Sequence, residues 1–320
     1  MKTHSNHPIM SALSTAYAIS VVFAIAFAPQ TVGAQDLNYQ SHAPQQTLAR
    51  AGATVQGQAD DPYRVITFNV LVGFNDYRVG DPYLPGAERK QAAYEWLEEQ
   101  QPDLVGLQEM NGYTLEELQT DAKAWGHDHA VLLKENGYDI ALTAKRPIEV
   151  VERVTDGFHH GLLHCRVDGI DVFVTHFYPG KENQRRMQEM AAVLERMQQV
   201  MDDERPCLVM GDLNALSPQD DSLFGETARH WHVDLWQWPL TDGKPYYNVL
   251  QQALDAGLVD AWVKHRPEDQ PQFPGRPRID YVLASPEFAA RSRAAEWVES
   301  EEMHKLSDHP PVVADFDWPE

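Results

Sequence analysis

Cysteine is scarce in this sequence: Cys165 and Cys207 are the only two in 320 residues. Two thiols permit one disulfide at most. Both fall in apolar, strand-like runs, where a free cysteine behaves as a small hydrophobe. Two buried thiols are therefore expected rather than a bridge. Zinc is not the expected metal either. His159, His160 and His164 lie close together, but without a helical His-x-x-x-His context.

Positive charge is also short. There are 26 Lys and Arg against 48 Asp and Glu, a net charge of −22. A field of that sign repels polyanions at long range. No basic stripe with interleaved aromatics offsets it, so no stable duplex nucleic-acid partner is expected. A small phosphoester drawn in by bound cations remains compatible. The plain alternative is that an acidic surface serves solubility.

Long apolar runs are missing after the first residues. One such stretch runs from about Ile9 to Ala28, with Lys2 as the only charge before Asp36. It is followed by Pro29-Gln30-Thr31-Val32-Gly33-Ala34, with small residues at Val32 and Ala34. This is the pattern of a secretory signal peptide, 1–34, cleaved after Ala34. A retained membrane anchor is the alternative. Residues 35–61, rich in Gln, Ala, Ser and Gly without periodicity, read as a flexible linker. The expectation is a secreted or periplasmic monomer, with no membrane span after signal removal and one folded domain over 62–320.

What the chain does have is apolar material for a core, 43% of its residues. Tyr63 to Val70 and Leu104 to Glu109 read as strands around a helix from Ala87 to Gln100, which Pro102 stops. Thr114 opens a helix to Trp125. Asn136-Gly137 turns a hairpin between Ala130–Leu133 and Tyr138–Ala144. Further strands are expected at 147–154, 161–167, 171–178, 278–283 and 311–316, with a helix at 249–256. Glu182 to Met201 carries Met187, Met190, Leu194, Met197 and Met201 on one face, which is core packing at that spacing. Many strands with a few helices fit one α/β domain of two packed sheets flanked by helices.

Cys207-Leu208-Val209-Met210, between Pro206 and Gly211, reads as a strand buried on both faces. It ends in Asp212 and Asn214, which point the same way if the extension continues. Other strand ends carry Asn69, Glu109, His176 and Asp280, and Asp308-His309 precedes the last strand. Singly, each has a structural explanation in a turn or a cap. Together they put carboxylates, amides and imidazoles at the tips of buried strands, where open sheets hold their sites.

Phe68-Asn69, Gln108-Glu109, Thr175-His176, Gly211-Asp212-Leu213-Asn214, Ile279-Asp280-Tyr281 and Ser307-Asp308-His309-Pro310 occur in that order. In order and spacing they resemble the endonuclease/exonuclease/phosphatase superfamily, over about Arg64 to Phe316. The resemblance implies a four-layered α/β/β/α sandwich, DNase I-like, with the site at one end. It implies hydrolysis of a phosphoester with Mg²⁺ (or Mn²⁺ or Ca²⁺). Glu109 would be a metal ligand, with Asn69 and Asp308 completing the shell directly or through water. His309 would be the general base and Asp280 its partner. Asp212 would orient the attacking water, Asn214 would donate to a phosphoryl oxygen, and His176 would donate to the phosphate or protonate the leaving group.

Three weaker candidates adjoin these. Asp139 either partners His176 or is a plain turn acid. Arg185 and Arg186 either reach a phosphate or simply open their helix. The aromatic segment from Trp231 to Tyr247 is either a substrate lid or stacking platform, or a long insertion packing on itself. The resemblance leaves open a scavenging nuclease, a sphingomyelinase-like lipid phosphodiesterase and a phosphomonoesterase. A non-catalytic binding module is the reading from another class, and six intact motifs count against it.

Overall fold

The computed structural model describes residues 61–76 and 82–317. The expected signal peptide and the linker up to residue 60 lie outside the described residues. Strands β1 (Tyr63–Asn69) and β2 (Leu104–Gln108) flank helix α1 (Gly86–Gln100). Helix α2 (Leu115–Ala122) and the hairpin β3 (His129–Leu132) and β4 (Ile140–Ala144) follow. Then come β5 (Glu149–Val154), β6 (Gly161–Val167), β7 (Ile170–His176), α3 (Asn183–Asp202) and β8 (Cys207–Asp212). The remainder is α4 (Glu226–His230), α5 (Asn248–Asp255), β9 (Val259–Asp260), α6 (Ala261–His265), β10 (Asp280–Ala284), α7 (Pro286–Ala290), β11 (Ser292–Trp297), α8 (Glu301–Leu306) and β12 (Val312–Phe316).

Two six-stranded sheets result, ordered β11-β12-β1-β2-β4-β3 and β5-β6-β7-β8-β10-β9. Alternation along the strands decides the layers. Val65 and Leu104 of the first sheet join Val172, Leu208, Met210 and Val282 of the second in one buried cluster between the sheets. The alternate residues Ile66 and Phe68 turn outward to Leu97 of α1, Leu118 of α2 and Met303 of α8. On the other side Phe173 and Val209 meet Met190, Val193 and Met197 of α3 and Leu250 of α5. This is the four-layered α/β/β/α sandwich, and the methionine stripe is part of its outer core.

Cys165 and Cys207 are both free and buried. Burial pushes each thiol up to about 12, so neither is a ready nucleophile. Thr114 caps α2 through a reciprocal bond with Glu117. Among the described residues no helix is long and apolar enough to cross a membrane. Six short elements, α4, β9, α6, α7, β11 and α8, have no counterpart in the sequence-based expectation.

Candidate active site

Strand register builds the site. β7 and β8 are parallel neighbours that pair His176 with Asp212. β8 and β10 are antiparallel neighbours that pair Asp212 with Asp280. Three adjacent strands of the second sheet therefore place an imidazole and two carboxylates in one row. The first sheet adds Asn69 at the end of β1 and Glu109 just past β2. The loop between α8 and β12 brings Asp308 and His309. Ser307 fastens that loop, donating from Oγ to the Asn69 carbonyl at 2.7 Å and accepting from His309 N at 3.1 Å.

The tip of β8 needs a glycine. Gly211 has φ 145°, and a Cβ there would lie 1.9 Å from the Thr175 carbonyl oxygen. Beyond it the strand does not stay extended. Asn214 turns left-handed, with φ 45°, and its backbone N–H donates to Asp212 Oδ1 at 2.9 Å. The expected alternation of Asp212 and Asn214 thus fails, because the chain folds back to close an Asx turn. Both side chains nevertheless line the same cavity.

Glu109 is also left-handed, with φ 61°, and so is each of Leu71, Val72, Gly73 and Phe74. That run wraps the carboxylate: Val72 N donates to Glu109 Oε2 at 2.9 Å and Gly73 N to its carbonyl at 2.6 Å. Left-handed backbone costs about 1–3 kcal/mol for each non-glycine residue, and it persists where the surroundings enforce it.

Asn69 donates through Nδ2 to Glu109 Oε1 at 3.2 Å and to Asp212 Oδ2 at 3.1 Å. Its orientation is fixed, because the Leu71 N–H requires an acceptor and finds Asn69 Oδ1 at 3.1 Å. Asn69 therefore turns nitrogen, not oxygen, toward the carboxylates. It reads as a group that positions them rather than as a direct metal ligand.

His309 Nδ1 lies 2.8 Å from Asp280 Oδ2 and 3.7 Å from Asp212 Oδ2. Burial and the nearby Arg276 disfavour its imidazolium, but Asp280 and Asp212 outweigh them and raise it to about 9. Burial raises Asp212, against the pull of His309, to about 7. His176 lies with Nε2 3.3 Å from Asp212 Oδ2, and burial, helped by His160 and His309, holds it well below its usual value.

The structure also brings in residues with no motif signal. Arg276 lies with one guanidinium nitrogen 3.1 Å from His309 Nε2 and another 3.5 Å from Asp308 Oδ2. An arginine can only donate, so this contact holds only while His309 is neutral with its proton on Nδ1, facing Asp280, and it competes with the imidazolium that Asp280 and Asp212 favour. Uptake of a second proton would set two donors against each other and push Arg276 away. Trp236, Trp238 and Tyr138 wall the cavity, and His160 stacks on His176 with centroids 4.1 Å apart. Glu189 of α3 ties two rim loops together, accepting from His159 N at 2.7 Å and Tyr178 N at 2.8 Å. The only hint in the sequence is position: Arg276-Pro277-Arg278 immediately precedes Ile279-Asp280.

Other expectations need correction. Asp139 does not meet His176: its carboxylate accepts from Lys134 N and Ile140 N, which makes it the turn acid. Arg186 is buried, bonded to the Tyr178 and Gly180 carbonyls and stacked 4.4 Å from the Trp238 ring centroid. Arg185 lies over Tyr178 at 4.7 Å. Neither arginine lines the cavity. His164 bonds Asp171 at 2.7 Å and stacks on Phe173, apart from His160. In the Trp231–Tyr247 segment Trp238 is buried and donates to the Pro179 carbonyl, and both Trp236 and Trp238 line the cavity.

The cavity measures about 380 Å³. Glu109, Asp212 and Asp308 line it beside a single arginine, and this surplus of hard oxygen donors suits a divalent cation. Among the described residues, Asp212, Asp280 and His309 also bring ligand atoms within 4.8 Å of one another. Asp280 and His309 are already bonded to each other.

The family model described as "Endonuclease/Exonuclease/phosphatase family" matches residues 66–309. No curated protein matches the sequence. Similar solved structures include an AP endonuclease from Archaeoglobus fulgidus, 21% identical with a TM-score of 0.57, covering 80% of this chain and 99% of that one. The 3′ phosphatase NExo from Neisseria, bound to product DNA hairpin, is 19% identical with a TM-score of 0.58 over 80% and 100% of the two chains. The human Nocturnin catalytic domain is 21% identical with a TM-score of 0.56 over 80% and 94%. At these identities the likeness establishes the fold.

Proposed function

This chain belongs to the endonuclease/exonuclease/phosphatase family, and on that premise we propose that it is an exported, divalent-metal-dependent phosphoester hydrolase. The observation that carries this reading is the meeting of Asp212, His309, Glu109 and Asp308 around one cavity, with Asp280 bonded to His309 behind it. Export rests on the signal-like residues 1–34.

Glu109 and Asp308 would hold Mg²⁺, Mn²⁺ or Ca²⁺, which when bound neutralises charge on the phosphoryl oxygens and the departing oxygen. Asp280 keeps the His309 proton on Nδ1, so that Nε2 accepts a proton from water as it attacks phosphorus. Asp212, held by Asn69, orients that water. Asn214 already spends one amide hydrogen on the Phe177 carbonyl at 3.0 Å. Its second is available to an oxygen on which charge builds. His176, kept neutral by burial and 3.3 Å from Asp212, serves to orient Asp212 rather than to protonate a leaving group.

The test is turnover of a generic phosphodiester, such as bis(4-nitrophenyl) phosphate, with Mg²⁺ or Mn²⁺ and again with EDTA. Chelation is expected to abolish turnover and re-addition of metal to restore it. His309→Ala is expected to lower kcat about 10²–10⁴-fold, the usual weight of a general base. Full turnover in EDTA, or none with any phosphoester and metal, would overturn the reading.

A further inference from the structure

Arg276 is the only arginine or lysine lining the cavity among the described residues. It is 6% exposed, and a buried cation persists only when held. Here the Asp308 carbonyl and carboxylate bond it from one side. The Trp236 and Trp231 rings, at 5.4 and 5.8 Å, face it from the other. What remains is its donor to His309 Nε2, a neutral nitrogen. A phosphoryl oxygen is charged and is the stronger acceptor for a guanidinium, which can also bind it through two parallel bonds. An entering phosphate would therefore take Arg276 in exchange for His309 and leave the Nε2 lone pair free.

The same surroundings limit how many phosphates the site can hold. Arg186 lies buried under Trp238 and Arg185 rests on Tyr178, so neither offers a second anchor within the cavity. Neighbouring phosphates of a polymer would face a molecule of net charge −22, a field that opposes polyanion binding. A volume of about 380 Å³ sits at the small end of ligand cavities. It has room for one phosphate and a leaving group of about one ring system against Trp236 and Trp238.

We infer that Arg276 anchors the phosphoryl group of a small, single-phosphate ester, and that this anchor selects such esters over nucleic acid and lipid. The selection rests on the hydrolase reading above, whereas the anchor is testable without turnover.

Calorimetry of inorganic phosphate binding to the full chain, wild type against Arg276→Met, tests the anchor. Phosphate is expected to bind wild type and to bind the variant about tenfold or more weakly, as loss of a charge-assisted bond implies. Arg276→Lys keeps the charge and should fall between the two, and it serves if the Met variant does not fold. Kinetics with 4-nitrophenyl phosphate and its bis ester should show the Arg276→Met change mainly in KM. Trp236→Ala should raise KM for these aryl esters. The inference falls if wild type binds no phosphate or if Arg276→Met binds it as well as wild type. It falls equally if plasmid DNA or sphingomyelin vesicles are hydrolysed with a higher kcat/KM than every small ester. Those last outcomes would leave the hydrolase reading standing, whereas absence of all turnover with normal phosphate binding would remove that reading and spare the anchor.

Discussion

At His127 both ring nitrogens are used, and together they fix one protonation state. Nε2 donates to the Pro102 carbonyl at 2.8 Å, which can only accept. Nδ1 therefore accepts from the Thr143 hydroxyl at 2.8 Å, whose oxygen accepts from Trp125 Nε1 at 3.2 Å. Burial lowers this histidine from 6.5 to about 4. Between those values the unfolded chain binds the proton and the folded chain refuses it, so stability falls as pH drops through that window. The loss from this one group is about 3 kcal/mol once pH is below 4. Denaturant midpoints measured from pH 7.5 to 4 should show the decline, and His127→Asn should make it shallower. At the site, Asn214→Ala should lower kcat about 10²–10³-fold, the weight of one oxyanion donor, with unchanged circular dichroism. Asp212, Asp280 and His309 were legible because each ends or adjoins an apolar run. Arg276 was not, because nothing in Arg-Pro-Arg distinguishes an arginine that lines a cavity from Arg278, which pairs with Asp220 and Asp260 in the core. Asn69 was placed correctly but its donor face was not, since that depends on Leu71 supplying the competing N–H.

Among the elements, β8 does most to set the site, since it pairs with strands that carry His176 on one side and Asp280 on the other. Gly211→Ala would drive a methyl into the Thr175 carbonyl and hold an unfavourable φ at once. A cost of about 4 kcal/mol or more is expected, measured as a lowered denaturation midpoint, with loss of activity because His176 and Asp212 sit next along those strands. Long apolar runs and long amphipathic stretches were legible as elements to within a residue or two. α4, β9, α6, α7, β11 and α8 were not, for lack of length: the longest of them have six residues, too few for a periodicity to show. In β11 the sequence Ser-Arg-Ala-Ala-Glu-Trp buries only its two ends. Its strand state comes from pairing with β12 at the edge of the sheet, a tertiary cause.

For the whole molecule, a net charge of −22 is a standing self-repulsion. Screening relieves it, so raising NaCl from about 0.05 to 0.5 M, which shortens the Debye length severalfold, should raise Tm by a few degrees. A Tm that falls or stays constant would show that specific ion pairs outweigh the net charge. The layered architecture was legible because its two outer cores and its central one follow from alternation within strands. The order of strands was not, because pairing partners far apart in sequence leave no local trace. β1 pairs with β12, and Arg64 forks onto Asp315 at 2.7 and 2.8 Å across 251 residues. This pairing carries a consequence for timing during synthesis. One edge of β1 stays open until β12 has been made, and the Asp308-His309 loop arrives only just before it. A chain in which β12 has not yet been made therefore lacks both the strand that closes β1 and the loop that brings Asp308 and His309 to the other strand ends.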